Sequence, residues 1–321
     1  MHLCLMNSAM LSRRPALLFR QAAVLASSRR LASSSAAPKP NLVETSLTDK
    51  GGVQIIRFAN EKKLNAWTMP LMKKFFETLQ TAASDPDVGG VVVTGNGNYY
   101  SAGVDLSSLI KPMAPSKLVR DLRDKNELTF ATFLNFPKPI VAAVNGPAIG
   151  AAVTSTILMD RLLCNESASF SLPFAKLGVP PEGCSSVTWA EKLGATNAER
   201  MLGPENWIPS GKEAFDAGLV DELVPGDADA LVARAVEVCR ERIAAGGGRR
   251  FDAAELERLL KVNADESAQL ANDFVSPKFL NAMYEFNIKR KKSDLVRAFW
   301  FAKATLPLWQ PQPILPSYAE Q

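Results

Sequence analysis

The first clear pattern along the chain is Val53-Gln54-Ile55-Ile56-Arg57-Phe58, a β-branched, partly alternating run that predicts a strand. A helical spacing follows. Met72, Phe75, Phe76, Leu79 and Ala83 share one face of a helix predicted from about Trp67 to Ala83, and Asp85-Pro86-Asp87 ends it. Gly90-Val91-Val92-Val93-Thr94 is a short continuous apolar run of the kind buried on both faces of a parallel sheet. A long helix is predicted over Ser116 to Leu134, ahead of a strand beginning at Pro139. The stretch from Pro139 to Met159 carries no charge and is long enough to suggest a membrane span. Its interior argues otherwise: Asn145-Gly146-Pro147 is a turn signal between a β-branched half and an Ala-rich half, which reads as buried strand, turn and buried helix. Strands alternating with helices predict an α/β core with right-handed crossovers.

From about Asp227 the pattern becomes helical, with Leu231, Ala235 and Val238 on one stripe and a further amphipathic segment from Phe274 to Arg290. The stretch from Trp300 to Pro316 is rich in Trp and Pro, and predicts an extended arm lying over a neighbour or over the protein's own surface. No internal repeat is present.

Composition changes this picture in two places. The chain of 321 residues is 47% hydrophobic and 22% charged, which excludes disordered and fibrous classes. Lysine and arginine total 37 against 33 acids, but Arg13, Arg14, Arg20, Arg29, Arg30 and Lys39 all precede the first acid, Glu44. Without those six bases the balance is 31 against 33, a net of −2, so the body gives no electrostatic case for a nucleic-acid partner. Residues 1–40, basic, Ser- and Ala-rich and free of acids, have the composition of a mitochondrial transit peptide and predict the mitochondrial matrix. The chain ends Ala319-Glu320-Gln321, without the peroxisomal Ser-Lys-Leu.

The one histidine is His2, inside that leader, so His-based triads, His-bound metal and histidine acid/base catalysis are excluded for the mature chain. Cys4, Cys164, Cys184 and Cys239 form no CxxC pair and read as reduced thiols. Carboxylates, hydroxyls, lysines and backbone dipoles remain.

Three segments place such groups where an acyl compound can be handled. Asn96 to Leu106 is a Gly-rich turn directly after a buried strand, Asn145 to Ala152 is a strand-to-helix turn of small residues, and Gly178 to Ser186 fixes Glu182 between a Pro pair and a helix start. With Lys63-Leu64-Asn65-Ala66, Phe136-Pro137-Lys138-Pro139 and Ala217-Gly218-Leu219-Val220-Asp221 in this order, residues 45–292 resemble the crotonase (enoyl-CoA hydratase/isomerase) superfamily. The third segment resembles its Δ3,Δ2-enoyl-CoA isomerase branch.

The resemblance implies an α/β fold: a crotonase-like ββα spiral core over 44–226, then a helical, trimer-forming region over 227–292 and a C-terminal extension over 293–321. It implies an acyl-CoA substrate whose thioester oxygen is held by the N–H groups of Val104 and Ala151, with CoA along Lys63, Leu64, Ala66, Ala102, Gly103, Asp105, Leu106 and Gly150. Lys62 and Lys63 are candidates to meet its phosphates. No metal is implied, and no cofactor beyond the coenzyme A of the substrate; a homotrimer or dimer of trimers is. The two positions that carry water-activating Glu residues in related hydratases are Thr154 and Phe174 here, whereas Glu182 matches the single acid/base of the isomerases. The implied activity is enoyl-CoA isomerisation in fatty acid β-oxidation. A dienoyl-CoA isomerase or weak hydratase, which needs a second carboxylate facing Glu182, and a non-catalytic crotonase-fold scaffold are the alternatives. Asp160 and Glu191 are the nearest acids in sequence, and each fits a helix end better.

Overall fold

A computed structural model describes residues 41–49, 52–105 and 114–319. The leader and Leu106 lie outside them. Residues 42–321 form one compact unit, built on a six-stranded sheet ordered β1-β2-β3-β4-β6-β8. Its strands are β1 (Val43–Leu47), β2 (Gly52–Phe58), β3 (Val88–Gly95), β4 (Ile140–Val144), β6 (Arg161–Cys164) and β8 (Glu222–Leu223). Only the β1–β2 pair is antiparallel. β5 (Pro147–Ile149) and β7 (Ser169–Ser171) form a second, smaller parallel pair. Single parallel bridges from Trp67 to Val104 and from Ser101 to Ala148 continue it toward the start of the chain. Each unit of the spiral thus gives one strand to the large sheet and one short edge to the small one.

The period of two along the strands sorts the core. Val91, Val93, Ile140, Ala142 and Val144 face α1 (Met69–Ser84) and the bulk of the apolar core. Val92, Val141 and Ala143 face the opposite way, onto Leu231, Ala235, Val238 and Cys239 of α7 (Ala228–Ala244). That helix, the first of the C-terminal helices, covers this face of the sheet. The uncharged run after Pro139 is the predicted strand, turn and helix, with β5 inserted before a helical run of α3 (Ala151–Thr154) and a 3-10 turn (Ser155–Leu158). Among the described residues no helix is long and apolar enough to cross a membrane. Cys164, Cys184 and Cys239 are buried free thiols.

α2 (Pro115–Leu134) packs against α8 (Ala253–Asp273). α4 (Phe174–Leu177), α5 (Ser185–Leu202) and α6 (Gly211–Asp216) follow along the chain, and α9 (Pro277–Lys289) pairs with α10 (Ser293–Trp309). α10 corrects the expectation of an extended arm over Trp300–Pro316. Leu295, Phe299, Ala302, Leu306 and Trp309 repeat at intervals of four and three, and that stripe packs against the core. Pro307 sits in the last turn, where the missing N–H costs one bond and the helix is already ending. The chain becomes extended only from Gln310, and there it lies over its own surface. Ile314 exchanges two hydrogen bonds with the Asn272 side chain (2.9 and 3.0 Å), Arg123 donates to Leu315 O (2.8 Å) and Ser317 donates to Glu127 (2.7 Å). This arm braces α2 against α8.

Candidate active site

Two buried asparagines shape the turn after β3. Asn65, itself at φ +53°, donates to Asn96 O (2.9 Å) and Tyr99 O (2.8 Å) and accepts from Asn60 N–H (2.9 Å). Asn145 accepts from Gly95 N–H (3.1 Å) and donates to Gly97 O (2.9 Å). These side chains stand in for strand partners that a turn cannot have. Beyond them Ala102 N–H donates to Leu64 O (2.9 Å), Trp67 N–H to Gly103 O (2.8 Å) and Asp105 N–H to Trp67 O (3.2 Å). Val104 lies between the two residues bonded to Trp67, so its own N–H points to the other side of the strand. It finds no acceptor among the described residues.

The second segment meets the first backbone to backbone. Gly103 adopts φ +74°, and a Cβ placed there would lie 2.3 Å from Ile149 O, so only glycine permits this approach. Ile149 N–H donates to Ser101 O (3.0 Å) and Gly150 N–H to Ser171 O (2.8 Å). Gly150, at φ 59° and ψ −128°, turns the chain into the helical run. Ala151 is its first residue, before any intrahelical acceptor exists, and its N–H is likewise without an acceptor among the described residues. The segments that carry Val104 and Ala151 thus lie in backbone contact through Ser101, Gly103 and Ile149.

Glu182 is buried at 7% exposure. Pro180 and Pro181 precede it and two left-handed residues, Gly183 and Cys184, follow, an arrangement that turns its side chain toward α2. There Asn126 Nδ2 donates to Glu182 Oε2 (2.5 Å), and Ser267 of α8 donates to Asn126 Oδ1 (2.8 Å), which fixes the amide orientation. One and two turns further along α2 are Phe130, against Gly183, and Phe133, stacked on Trp67 at 6.4 Å between ring centres. Seven residues of helix, about 10 Å, thus separate the partner of Glu182 from the partner of the Trp67 strand edge that presents Val104. The acid and the first amide face the same helix.

Beside Glu182 lies a second carboxylate, Glu266 on α8, which neither composition nor motif had singled out. Its oxygens accept from Cys184 N–H (2.7 Å) and Ser186 N–H (2.8 Å), capping the start of α5 from another element. Burial pushes Glu182 up to about 7; the Asn126 bond opposes this and the charge of Glu266 adds to it. Burial raises Glu266 too, against its backbone N–H donors. Those N–H donors favour the charged form of Glu266. Near neutrality Glu182 is thus able to change its protonation state, while both oxygens of Glu266 are occupied by the start of the helix.

Leu64 is left-handed and 45% exposed, and Ala66 N–H donates to Lys63 O (3.0 Å). Lys62 and Lys63 are exposed, and Lys63 Nζ lies 3.4 Å from Asp105 Oδ2. Thr154 and Phe174 are buried and bring no carboxylate. Asp160 and Glu191 lie with other partners: Asp160 accepts from Ile140 N–H (2.8 Å) and pairs with Arg249 (2.9 Å), and Glu191 pairs with Arg258 (3.1 Å).

Comparison with known proteins identifies the family of the chain. The profile of the enoyl-CoA hydratase/isomerase family matches residues 48–273. Rat enoyl-CoA delta isomerase 2 is 31% identical over 77% of this chain, which spans 64% of that relative's length. Mouse peroxisomal enoyl-CoA delta isomerase 3 is 30% identical over 78% of this chain and 80% of its own. Among solved structures, an enoyl-CoA hydratase from Mycobacterium avium subsp. paratuberculosis superposes with a TM-score of 0.60 at 26% identity, covering 77% of this chain and 99% of that one.

Proposed function

This chain belongs to the enoyl-CoA hydratase/isomerase family, and we propose that within it the protein is a Δ3,Δ2-enoyl-CoA isomerase that moves a double bond with one carboxylate. The observation that carries this is Glu182: buried, held by a single amide donor, pushed up to about 7, and unaccompanied by acids at Thr154 and Phe174. The names of the rat and mouse relatives support the same reading.

In this mechanism the thioester oxygen of a 3-enoyl-CoA accepts from Val104 N–H and Ala151 N–H. Ionised Glu182 removes a proton from C2, and the electron pair passes into a dienolate whose charge rests on that oxygen. The protonated Glu182 then returns the proton to C4, leaving the conjugated 2-enoyl thioester and an ionised carboxylate. No water enters. The amides carry most of the barrier reduction, because an α-proton of a thioester is far less acidic than a carboxylic acid. Hydration would ask a second acid to orient water, and Glu266 has its oxygens occupied by backbone N–H groups.

The test is a purified-protein assay on cis- and trans-3-enoyl-CoA esters of several chain lengths, followed by the absorbance of the conjugated product. Isomerisation faster than hydration of the corresponding 2-enoyl-CoA is expected; the reverse order overturns the proposal.

The pH profile gives a finer check. Glu182 must start ionised, so kcat/KM should fall as pH is lowered through about 7. Asn126→Leu removes the donor that favours the charged form, so the inflection should move alkaline by about one pH unit. An unmoved inflection would mean that another group titrates.

A further inference from the structure

At the end of the helical run that begins with Ala151 there is a cavity of about 260 Å³, away from the acyl site. Liquid water occupies about 30 Å³ per molecule, so the space admits a phosphate group and the first part of whatever carries it. Its charged walls come from four stretches of chain: Arg161 at the start of β6, Lys192 on α5, Arg242 on α7, and Arg250 just beyond, with Asp160 and Asp221 between them. Four cations against two carboxylates leave +2.

The two acids are already satisfied. Asp221 accepts from Leu162 N–H (2.7 Å) and from Lys192 Nζ (2.8 Å). Asp160 accepts from Ile140 N–H and Arg250 N–H (both 2.8 Å), and Arg249, behind the wall, meets its charge at 2.9 Å. Three guanidinium groups are left without a carboxylate at hydrogen-bond distance. Arg161 stands 3.8 Å from Asp221 and Arg242 stands 4.0 Å from Asp160, while the Arg250 head donates to Ile157 O. The buried Nε–H of Arg242 has no acceptor among the described residues. A buried donor left unpaired is costly and calls for an explanation.

We propose that this cavity is a binding site for a phosphate dianion, free or as a phosphate monoester. The excess charge matches a dianion, and converging guanidinium forks match the geometry of phosphate oxygens better than a single carboxylate. Arg250 and Arg249 hold the Ile157 and Leu158 carbonyls at the far end of the run whose first amide is Ala151 N–H. Roughly 10 Å along that run separates the two sites, so a bound phosphate does not compete with an acyl thioester.

The experiment is calorimetric titration of the full chain with inorganic phosphate, AMP and free CoA at constant ionic strength, using chloride as the blank. Saturable binding of phosphate or AMP is expected, unchanged by a saturating acyl-pantetheine thioester, which fills the acyl site and carries no phosphate. The arms separate the sources: phosphate alone points to the free ion, and AMP tighter than phosphate points to a monoester. Arg242→Gln and Arg161→Gln should each weaken binding at least tenfold; the Arg161 side chain is 52% exposed, so its variant keeps the fold. Three results overturn the site: no saturable binding, displacement by an acyl-pantetheine thioester, or an affinity unaltered in Arg161→Gln. Absence of binding because a second copy's acidic side chain fills the cavity in an oligomer counts among the first.

Discussion

Replacing Glu182 by Gln is expected to lower kcat for 3-enoyl-CoA isomerisation by about 10³-fold, within the range that a positioned acid/base supplies, while the dissociation constant of a non-reacting acyl-CoA stays within a factor of two or three. Gln keeps the length of the side chain, and its carbonyl oxygen still accepts from Asn126 Nδ2, so the pocket has no reason to rearrange. What vanishes is the carboxylate proposed to carry hydrogen from C2 to C4. Unchanged turnover would remove Glu182 from the mechanism.

The same substitution has a second readout of opposite sign. Burial raises Glu182 from the ordinary 4.5 to about 7 in the folded protein. A carboxylate raised on folding leaves stability intact below the unfolded value and withdraws it as pH climbs through the folded one. The rise corresponds to about 3 kcal/mol at most. Glu182→Gln should therefore be more stable than the wild type at pH 8, with the advantage shrinking between pH 7 and 4.5 and gone below, as urea midpoints would record. Loss of activity with gain of stability at pH 8 separates a buried working acid from a structural one, since removal of a structural acid would cost both. If stability at pH 8 fell instead, Glu182 would belong with Glu266 as part of the framework.

That contrast between Glu182 and Glu266 also marks how far the sequence could be read. Glu182 was legible because its neighbours are local: a Pro pair, a glycine and a helix start, all within a few residues. The strands were legible because Val91 to Val93 and Pro139 to Val144 are apolar without interruption, which a sheet covered on both faces requires. Glu266 and Asn126 come from distant helices, and no motif marks them. A signal existed nonetheless. Leu259, Asn263, Glu266 and Leu270 share one face of α8, and Val119, Arg123, Asn126, Phe130 and Phe133 one face of α2. A polar side chain on an apolar stripe must be paired inside the protein, and here the pairing builds the site. The C-terminal segment was misread for the converse reason. Its prolines weighed on the whole stretch, although all but Pro307 fall after the stripe of α10 has ended.

Gly103→Ala should lower kcat by about 10²- to 10³-fold, the loss associated with one oxyanion donor, with a much smaller effect on acyl-CoA affinity. The added methyl would lie 2.3 Å from Ile149 O, a backbone atom tied to the small sheet through Ile149 N–H. Relief requires the two strands to part by about 1 Å, and a displacement of that size at a reacting centre is sufficient for a 10²-fold loss. Because Val104 follows Gly103 and Ala151 follows Gly150, the parting widens the gap between the two amides directly. The positive φ of residue 103 adds about 1–2 kcal/mol of folding cost for alanine, so the comparison needs a variant that carries the same strain without the displacement. Gly97 provides it. It sits in the same loop at φ +72°, and the atoms nearest to a methyl there all belong to the side chain of Glu61, which can swing away. Gly97→Ala should lose similar stability and keep most of its turnover. If the two variants were equally active, the amide of Val104 would not be holding the thioester oxygen, and the stabilisation of the dienolate would have to be sought elsewhere along the groove.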